Sequence, residues 1–245
     1  MELSEGDYKF DPQLPPVTMG PYIISLDKRW KLDELQHFSK NYEQSYYAMY
    51  AIEALRSQSV IGSEAQSRII SQMSQYPWRG GFSTVHFYYG VKRIAGKARQ
   101  PEIQRIQYAS PGFIELSVIQ EIALNLGAVV ASVCASVRLI NSTYNSIYKG
   151  LRDRQLNEIS VERARLNLSK DQYDFLANSI SEMSESLNLD EREKLIAASG
   201  NELRALKILL SIYRRIRAVS EYQNEQKIQL PAKFKNRDSS LNFDE

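Results

Sequence analysis

IALNLGAVVASVCASVRLI, residues 122–140, is a long apolar run in the middle of a chain that is otherwise rich in polar residues. Its length is close to the roughly 20 residues that span the hydrocarbon core of a bilayer. However, Asn125 lies inside the run, Arg138 lies near its end, and Glu121 directly precedes it. Basic residues also occur on both sides, whereas a single span normally has them concentrated on the cytoplasmic side. We therefore expect the buried helix of a soluble domain, with a membrane span as the alternative.

Small residues recur at regular intervals within this run. Ala123, Gly127, Ala131 and Ala135 are each four residues apart, so in a helix they form one narrow row. Small side chains allow another helix to approach closely, in water or in lipid. The row therefore predicts a surface for self-association or for a partner protein.

The composition is that of an ordinary globular protein. The chain has 245 residues, of which 43% are hydrophobic and 24% charged, and this is enough for one large domain or two small ones. The 31 Lys and Arg residues and 29 Asp and Glu residues give a net charge of +2, which predicts no general attraction to nucleic acid or to anionic membranes. The single cysteine, Cys134, excludes an internal disulfide. A reducing, cytoplasmic location is the expectation, with membrane association left open by residues 122–140.

Acidic residues and prolines are frequent at the start of the chain, which lacks the basic and apolar pattern of a secretory signal. We expect residues 1–21 to form an extended arm. Residues 22–228 are expected to form a single helical domain, in which a sub-boundary could fall near 157–168. Residues 229–245 lack apolar periodicity and are expected to form a flexible tail.

Helical periodicity is the commonest pattern in the chain. An apolar set recurs at three-, four- and seven-residue steps after residue 30, which is typical of one helical face. Its members are Leu35, Phe38, Tyr42, Met49 and Ile52. A second helix is expected at residues 64–73, and residues 83–91 could form a helix or a strand.

Two short strands are expected, at residues 22–26 and 102–108, the second of them at the edge of a sheet. Ser110 and Pro111 predict the start of the longest helix, because serine is a common N-cap and proline fits the first helical turn. The predicted fold class is mainly α, with α+β character: a helical domain around one long central helix, with a small β element of short strands.

Three later helix starts are predicted by capping pairs, in which a capping side chain precedes an acid or amide by three residues. The pairs are Ser169 with Gln172, Asn188 with Glu191, and Ser199 with Glu202. They predict that the C-terminal half is a series of helices.

Basic and aromatic residues are mixed in segment 76–105, and no Asp or Glu lies between Ala65 and Pro101. Basic groups neutralise phosphates and aromatic rings stack on bases in proteins that bind single strands. The residues expected to contact a nucleic acid or a phosphorylated ligand here are Trp78, Arg79, Tyr88, Lys92, Arg93, Lys97 and Arg99. An ordinary surface, with its acids supplied by neighbouring helices, is the alternative.

A second basic patch includes Arg214 and Arg215, on a helix with a clear apolar face. Salt bridges to acids on other helices are the expected role of this patch, and a phosphate-binding cradle is the alternative. Convergence of this patch with residues 79–99 would favour the cradle.

No pattern typical of a catalytic site, a metal site or a cofactor is present. The two histidines, His37 and His86, have no metal-ligand partner at a recognisable spacing.

The leading hypothesis is a non-catalytic helical interaction or effector protein that self-associates or docks a partner through the small-residue row, with a membrane as a further candidate partner. A module that binds nucleic acid or a phosphorylated ligand is the alternative, and an enzyme with an unrecognised site is the third reading.

Overall fold

The protein is mainly helical and contains one small antiparallel sheet, as predicted. The computed structural model describes residues 19–56, 60–75, 83–157 and 168–232. The strands are β1 (Met19–Leu26), β2 (Glu102–Gln107), β3 (Gly112–Ile119) and β4 (Ile228–Gln229). The helices are α1 (Leu32–Arg56), α2 (Ser63–Gln75), α3 (Ser83–Ala95), α4 (Gln120–Asp153), α5 (Lys170–Ser186), α6 (Arg192–Ser199) and α7 (Glu202–Asn224), and a 3-10 helix, Lys97–Arg99, follows α3.

The sheet has the strand order β2-β3-β1-β4. Tyr22, Ile24 and Leu26 of β1 are buried, while Ile23 and Ser25 between them are exposed. This alternation is expected for a sheet that packs one face on helices and leaves the other in solvent. The core of the protein therefore lies on the side of Ile24.

Both predicted strands are confirmed, and β2 lies at the sheet edge as expected. β1 begins at Met19, within the predicted arm, and Gln229 of the predicted tail pairs with Ser25. The rest of the arm, and the tail after residue 232, lie outside the described residues. Residues 83–91, which could have been helix or strand, belong to α3.

The predicted start of the longest helix at Pro111 was wrong. Gly112–Ile119 forms strand β3, which pairs with β1 along its whole length, and α4 begins only at Gln120. The strand is favoured because Ile114, Leu116 and Val118 alternate with less buried residues, which is the period of a half-buried strand. The hydroxyl of Tyr46 on α1 accepts a hydrogen bond from the backbone N–H of Ile119 at 3.1 Å and so fixes the point where α4 starts.

Helix α4 has 34 residues, a length of about 51 Å, and confirms the expected long central helix. Its backbone leaves helical geometry at Ser136, where φ is −122° and ψ is 19°. Helix α7 packs against α4 and also against α1, α5 and α6. The predicted apolar face of α7 is buried, and so are Ile208 and Ile212 outside that face. α7 is therefore an interior helix.

One of the three predicted capping pairs is confirmed. Ser169 and Gln172 form a reciprocal capping box at the start of α5. The other two were wrong: the N-caps of α6 and α7 are Glu191 and Asn201. Asn201 accepts from the backbone N–H of Arg204 at 2.9 Å, so the true cap of α7 lies two residues after the predicted one.

Candidate functional site

The predicted small-residue row of α4 is divided between the core and the surface. Ala123 and Gly127 are buried, Ala131 is half-buried and Ala135 is exposed. The row therefore crosses obliquely from the interior to the solvent, because a four-residue step rotates slightly past one helical turn of 3.6 residues. Only its C-terminal half is accessible to another molecule.

A close approach does occur at Gly127, and the approaching group belongs to the same chain. A Cβ atom at this position would overlap the carbonyl oxygen of Pro231 and lie 3.0 Å from the hydroxyl of Tyr22. That hydroxyl donates a hydrogen bond of 2.8 Å to the same Pro231 carbonyl. We name this contact between α4, β1 and the segment after β4 the Gly127 contact.

Another row of α4 is exposed along its length, and it shares only Ala135 with the predicted row. Ala128, Ser132, Ala135 and Leu139 follow one another at steps of four, three and four residues, and all four are exposed. Ser142 and Ser146 continue the same spacing in solvent. Steps that alternate between three and four are typical of a helix that pairs with another helix. We name the row from Ala128 to Ser146 the exposed α4 face.

Leu139 is the large apolar side chain of the exposed α4 face, and it is 71% exposed. Within the described part of the chain, α4 is the one helix that is long and apolar enough to cross a membrane, and 39% of its most apolar window of 18 residues is buried. Length and composition alone do not separate a span from a core helix. They do establish that an unusually apolar helix has much of its surface outside the core.

Two residues of the predicted ligand surface, Tyr88 and Arg99, are buried in the protein. The hydroxyls of Tyr88 and Ser211 are 3.0 Å apart and hydrogen-bonded. Arg99 donates to the carbonyl oxygen of Ile61 and, at 3.3 Å, to the hydroxyl of Tyr50. These side chains link α3 to α7 and the 3-10 helix to α1, which is a structural role. Trp78 and Arg79 lie outside the described residues.

The two basic segments do converge, and their meeting point is Arg215. Its guanidinium group lies 4.8 Å from the ring centre of Tyr88, donates from Nε to Oε1 of Gln44 at 3.0 Å, and donates from Nη1 to the carbonyl of Ser211 at 3.1 Å. Arg215 is only 9% exposed. The convergence is therefore a buried contact of α1, α3 and α7.

The remaining predicted cations lie at the surface. Lys92 forms a salt bridge of 2.6 Å with Glu43 of α1, as expected for a basic segment whose acids come from a neighbouring helix. Arg93, Lys97 and Arg214 are exposed. Among the described residues, these three are the members of the predicted ligand surface that are exposed to a phosphate.

A buried ionic cluster joins the end of α1 to the start of α6, and no sequence pattern had indicated it. Nε of Arg56 lies 2.5 Å from Oε1 of Glu191, and Nη1 lies 3.6 Å from Oε2 of Glu53. The side chains of Glu53 and Glu191 are 5% and 10% exposed. Burial raises the pKa of Glu53, and the nearby carboxylate of Glu121 raises it further. Two buried carboxylates therefore share one guanidinium group.

Nucleophile and metal chemistry have little geometric support among the described residues. Cys134 is half-buried and burial raises the pKa of its thiol, which disfavours the reactive thiolate. No group of three or more His, Cys, Asp and Glu side chains in residues 19–56, 60–75, 83–157 and 168–232 is arranged to hold a metal ion.

No protein-family model, curated protein or solved structure matches this chain.

Proposed function

We propose that this protein is a non-catalytic helical interaction protein that self-associates through the exposed α4 face. The observation that carries the proposal is the 71% exposure of Leu139 within a row of small, uncharged side chains. Together with the small side chains of Ala128 and Ala135, Leu139 extends an exposed apolar surface along the helix, and such surfaces are typical of sites that another molecule covers. Ala128, Ser132 and Ala135 would allow a second helix to approach within the 8–10 Å of ordinary helix packing.

A second copy of the chain fits this face in one antiparallel register. When the twofold axis lies midway between Ser132 and Ala135, Leu139 of one copy lies opposite Ala128 of the other. Ser142 then lies opposite Asn125, so an apolar pair and a polar pair each match. A twofold interface requires such self-complementarity. The one charged residue between Asn125 and Ser146 is Arg138, which lies at the margin of the row and outside it.

The size of the contact sets the expected affinity. A single pair of helices buries less than the roughly 1,200–2,000 Å² of a standard stable interface. We therefore expect a reversible dimer with a dissociation constant of the order of micromolar, or about −8 kcal/mol.

The test is the molar mass of the purified protein measured by sedimentation across a concentration series. Wild type should change from monomer to dimer in the micromolar range. Ala135→Glu should raise the dissociation constant about 100-fold, because each copy must desolvate a carboxylate near the twofold axis. Ala197→Glu is the matched control, since Ala197 is exposed on α6, and it should leave dimerisation unchanged.

A monomer at every concentration, or a dimer that Ala135→Glu does not weaken, would reject self-association. Flotation with phospholipid vesicles tests the alternative that the exposed α4 face binds a membrane. Binding of wild type to vesicles that is lost in Ala135→Glu, without a dimer in solution, would assign the exposed α4 face to lipid.

A second candidate function is the binding of nucleic acid or of a phosphorylated ligand through Arg93, Lys97 and Arg214. The convergence of α3 and α7 supports it, since these exposed cations belong to the two segments that meet at Arg215. Binding of a labelled single-stranded oligonucleotide should weaken steeply as salt rises. Arg93→Glu with Lys97→Glu should abolish it, whereas Lys194→Glu on the exposed surface of α6 should not. Absence of binding at low salt would remove this candidate.

A further inference from the structure

Strand β2 is a free edge of the sheet. All six of its residues are exposed, and among the described residues no strand pairs with its outer side. Ile103 and Ile106 are 56% and 47% exposed, although they pair with the buried residues Leu116 and Ile114 of β3. β2 therefore extends beyond the helices that cover the rest of this face. An edge of this kind presents unpaired backbone N–H and C=O groups to an extended chain.

An apolar groove lies at the end of this edge strand. It is lined by Leu26, Trp30, Leu32, Leu35, Ile106 and Tyr108, together with Lys31. Leu32 is 84% exposed and Tyr108 is 65% exposed. The cavity volume of about 270 Å³ is just below the roughly 300–1,000 Å³ typical of sites for small molecules. This size suits one large side chain of a bound peptide.

Hydrogen bonds hold the two walls of the groove together. The backbone N–H of Trp30 donates to the hydroxyl of Tyr108 at 3.3 Å, and Oγ of Ser110 donates to Oδ1 of Asp27 at 2.6 Å. The ring of Trp30 is stacked on Tyr222 with centroids 5.2 Å apart. The groove is therefore formed before any ligand arrives, and a preformed site avoids part of the entropy cost of binding.

We propose that this groove and the adjoining half of β2 bind an extended segment of a partner protein in which a large apolar side chain stands beside a carboxylate. Backbone pairing with the edge strand would hold the segment, and the groove would take the apolar side chain, as in other cases of strand addition. Among the described residues, Lys31 is the one charged residue in the lining of the groove. Its backbone N–H donates to Glu34 at 2.9 Å, and its exposed side chain favours a carboxylate beside the apolar side chain of the ligand. This surface is separate from the exposed α4 face and does not depend on the proposed function.

A second copy of the chain suits this edge less well than a peptide does. The pairing of β2 with β3 shifts between Ile103 and Arg105, and such a bulge disrupts the regular backbone ladder that two copies of β2 would need. Arg105 is also held over the ring of Phe113, at 4.7 Å, and beside Glu115, at 3.7 Å. A short peptide needs only the residues after the bulge, which lead into the groove.

The test uses a fluorescein-labelled peptide of about ten residues, in which valine and threonine alternate around one phenylalanine followed by aspartate. Its fluorescence polarisation is titrated with the full chain. Leu32→Asp should weaken binding at least about tenfold, because it places a carboxylate in the apolar groove. Ile23→Asp is the matched control on the opposite face of the sheet, where Ile23 is 46% exposed, and it should bind like wild type.

Two further measurements separate the contribution of the charge on Lys31 to peptide binding from the contribution of backbone pairing. Lys31→Glu should weaken the aspartate peptide about tenfold and should favour a peptide in which lysine replaces that aspartate. N-methylation of alternate backbone nitrogens in the peptide should abolish binding, because it removes the donors that pair with β2. No binding of the first peptide at about 1 mM, or binding that Leu32→Asp leaves unchanged, would overturn the proposal.

Discussion

Replacing Gly127 by leucine is expected to lower the free energy of unfolding by about 3 kcal/mol. The new side chain would overlap the carbonyl oxygen of Pro231, which is a backbone atom and cannot rotate away. Moving that segment would also break the hydrogen bond from the buried hydroxyl of Tyr22. Overpacking costs about 1–3 kcal/mol, and an unpaired buried hydroxyl costs about 1–3 kcal/mol more. The gain in helix propensity over glycine, at most about 1 kcal/mol, does not offset these costs.

Chemical denaturation and calorimetry measure this effect. For a chain of this size we expect the melting temperature to fall by roughly 6–12 °C. Ala135→Leu is the matched control in the same predicted row. Because Ala135 is exposed, its stability should change by less than about 0.5 kcal/mol when it is measured below the concentration at which the proposed dimer forms. Equal stability of the two variants would contradict the Gly127 contact.

Replacing Arg56 by alanine is expected to lower the free energy of unfolding by about 2–4 kcal/mol at neutral pH. Removing one partner of a fully buried ion pair costs about 3–5 kcal/mol. The value is reduced here because the Arg56 side chain is 32% exposed, and solvent screens part of its charge. The loss would leave the carboxylates of Glu53 and Glu191 buried without their shared cation.

The effect of Arg56→Ala should depend on pH in a defined direction. Burial already raises the pKa of Glu53 in the folded protein, and loss of the guanidinium group would raise it further. A carboxyl group with a raised folded pKa favours the folded state below its unfolded pKa of about 4.3. It loses that contribution as pH rises through the folded value. The destabilisation should therefore be smallest near pH 4–5 and largest at neutral pH.

Urea unfolding of wild type and variant at several pH values tests this prediction. The double variant with Glu53→Gln should recover part of the stability at neutral pH, because Gln removes one of the two uncompensated charges. A destabilisation that is the same at every pH, or no recovery in the double variant, would show that the cluster does not act as a shared ion pair.

Local patterns predicted several elements of this fold correctly. The short apolar segment after Pro21 predicted β1, the three-, four- and seven-residue steps from Leu35 to Ile52 predicted α1, and the pair Ser169 and Gln172 predicted the start of α5. Each of these signals is local, because the residues that define it are close in sequence and their period reports which face is buried. The missed strand β3 had such a signal as well, in the alternation of Ile114, Leu116 and Val118. Ser110 and Pro111, however, have the chemistry of a helix start, which predicts a helix in place of this strand.

The surfaces of the protein were harder to predict, because burial depends on elements far apart in sequence. The local sequence does not distinguish Tyr88 and Arg215 from residues at the surface. Their contacts with Ser211 and Gln44 place them in the interior. The small-residue row predicted the close approach of another helix, whereas the group that lies against Gly127 is the carbonyl of Pro231, which no local pattern indicates. The groove beside β2 combines residues from two chain segments about 75 positions apart. A local periodicity in the sequence therefore cannot predict it.

The pairing of β4 with β1 has a consequence for synthesis of the protein on the ribosome. β1 is translated before both of its neighbours, β3 and β4, which end at Ile119 and Gln229. The hydrogen bond from Tyr22 to Pro231 joins residues 209 positions apart. The sheet around β1 therefore cannot be completed until Gln229 has left the ribosome, and the nascent protein is exposed to chaperones and proteases until then.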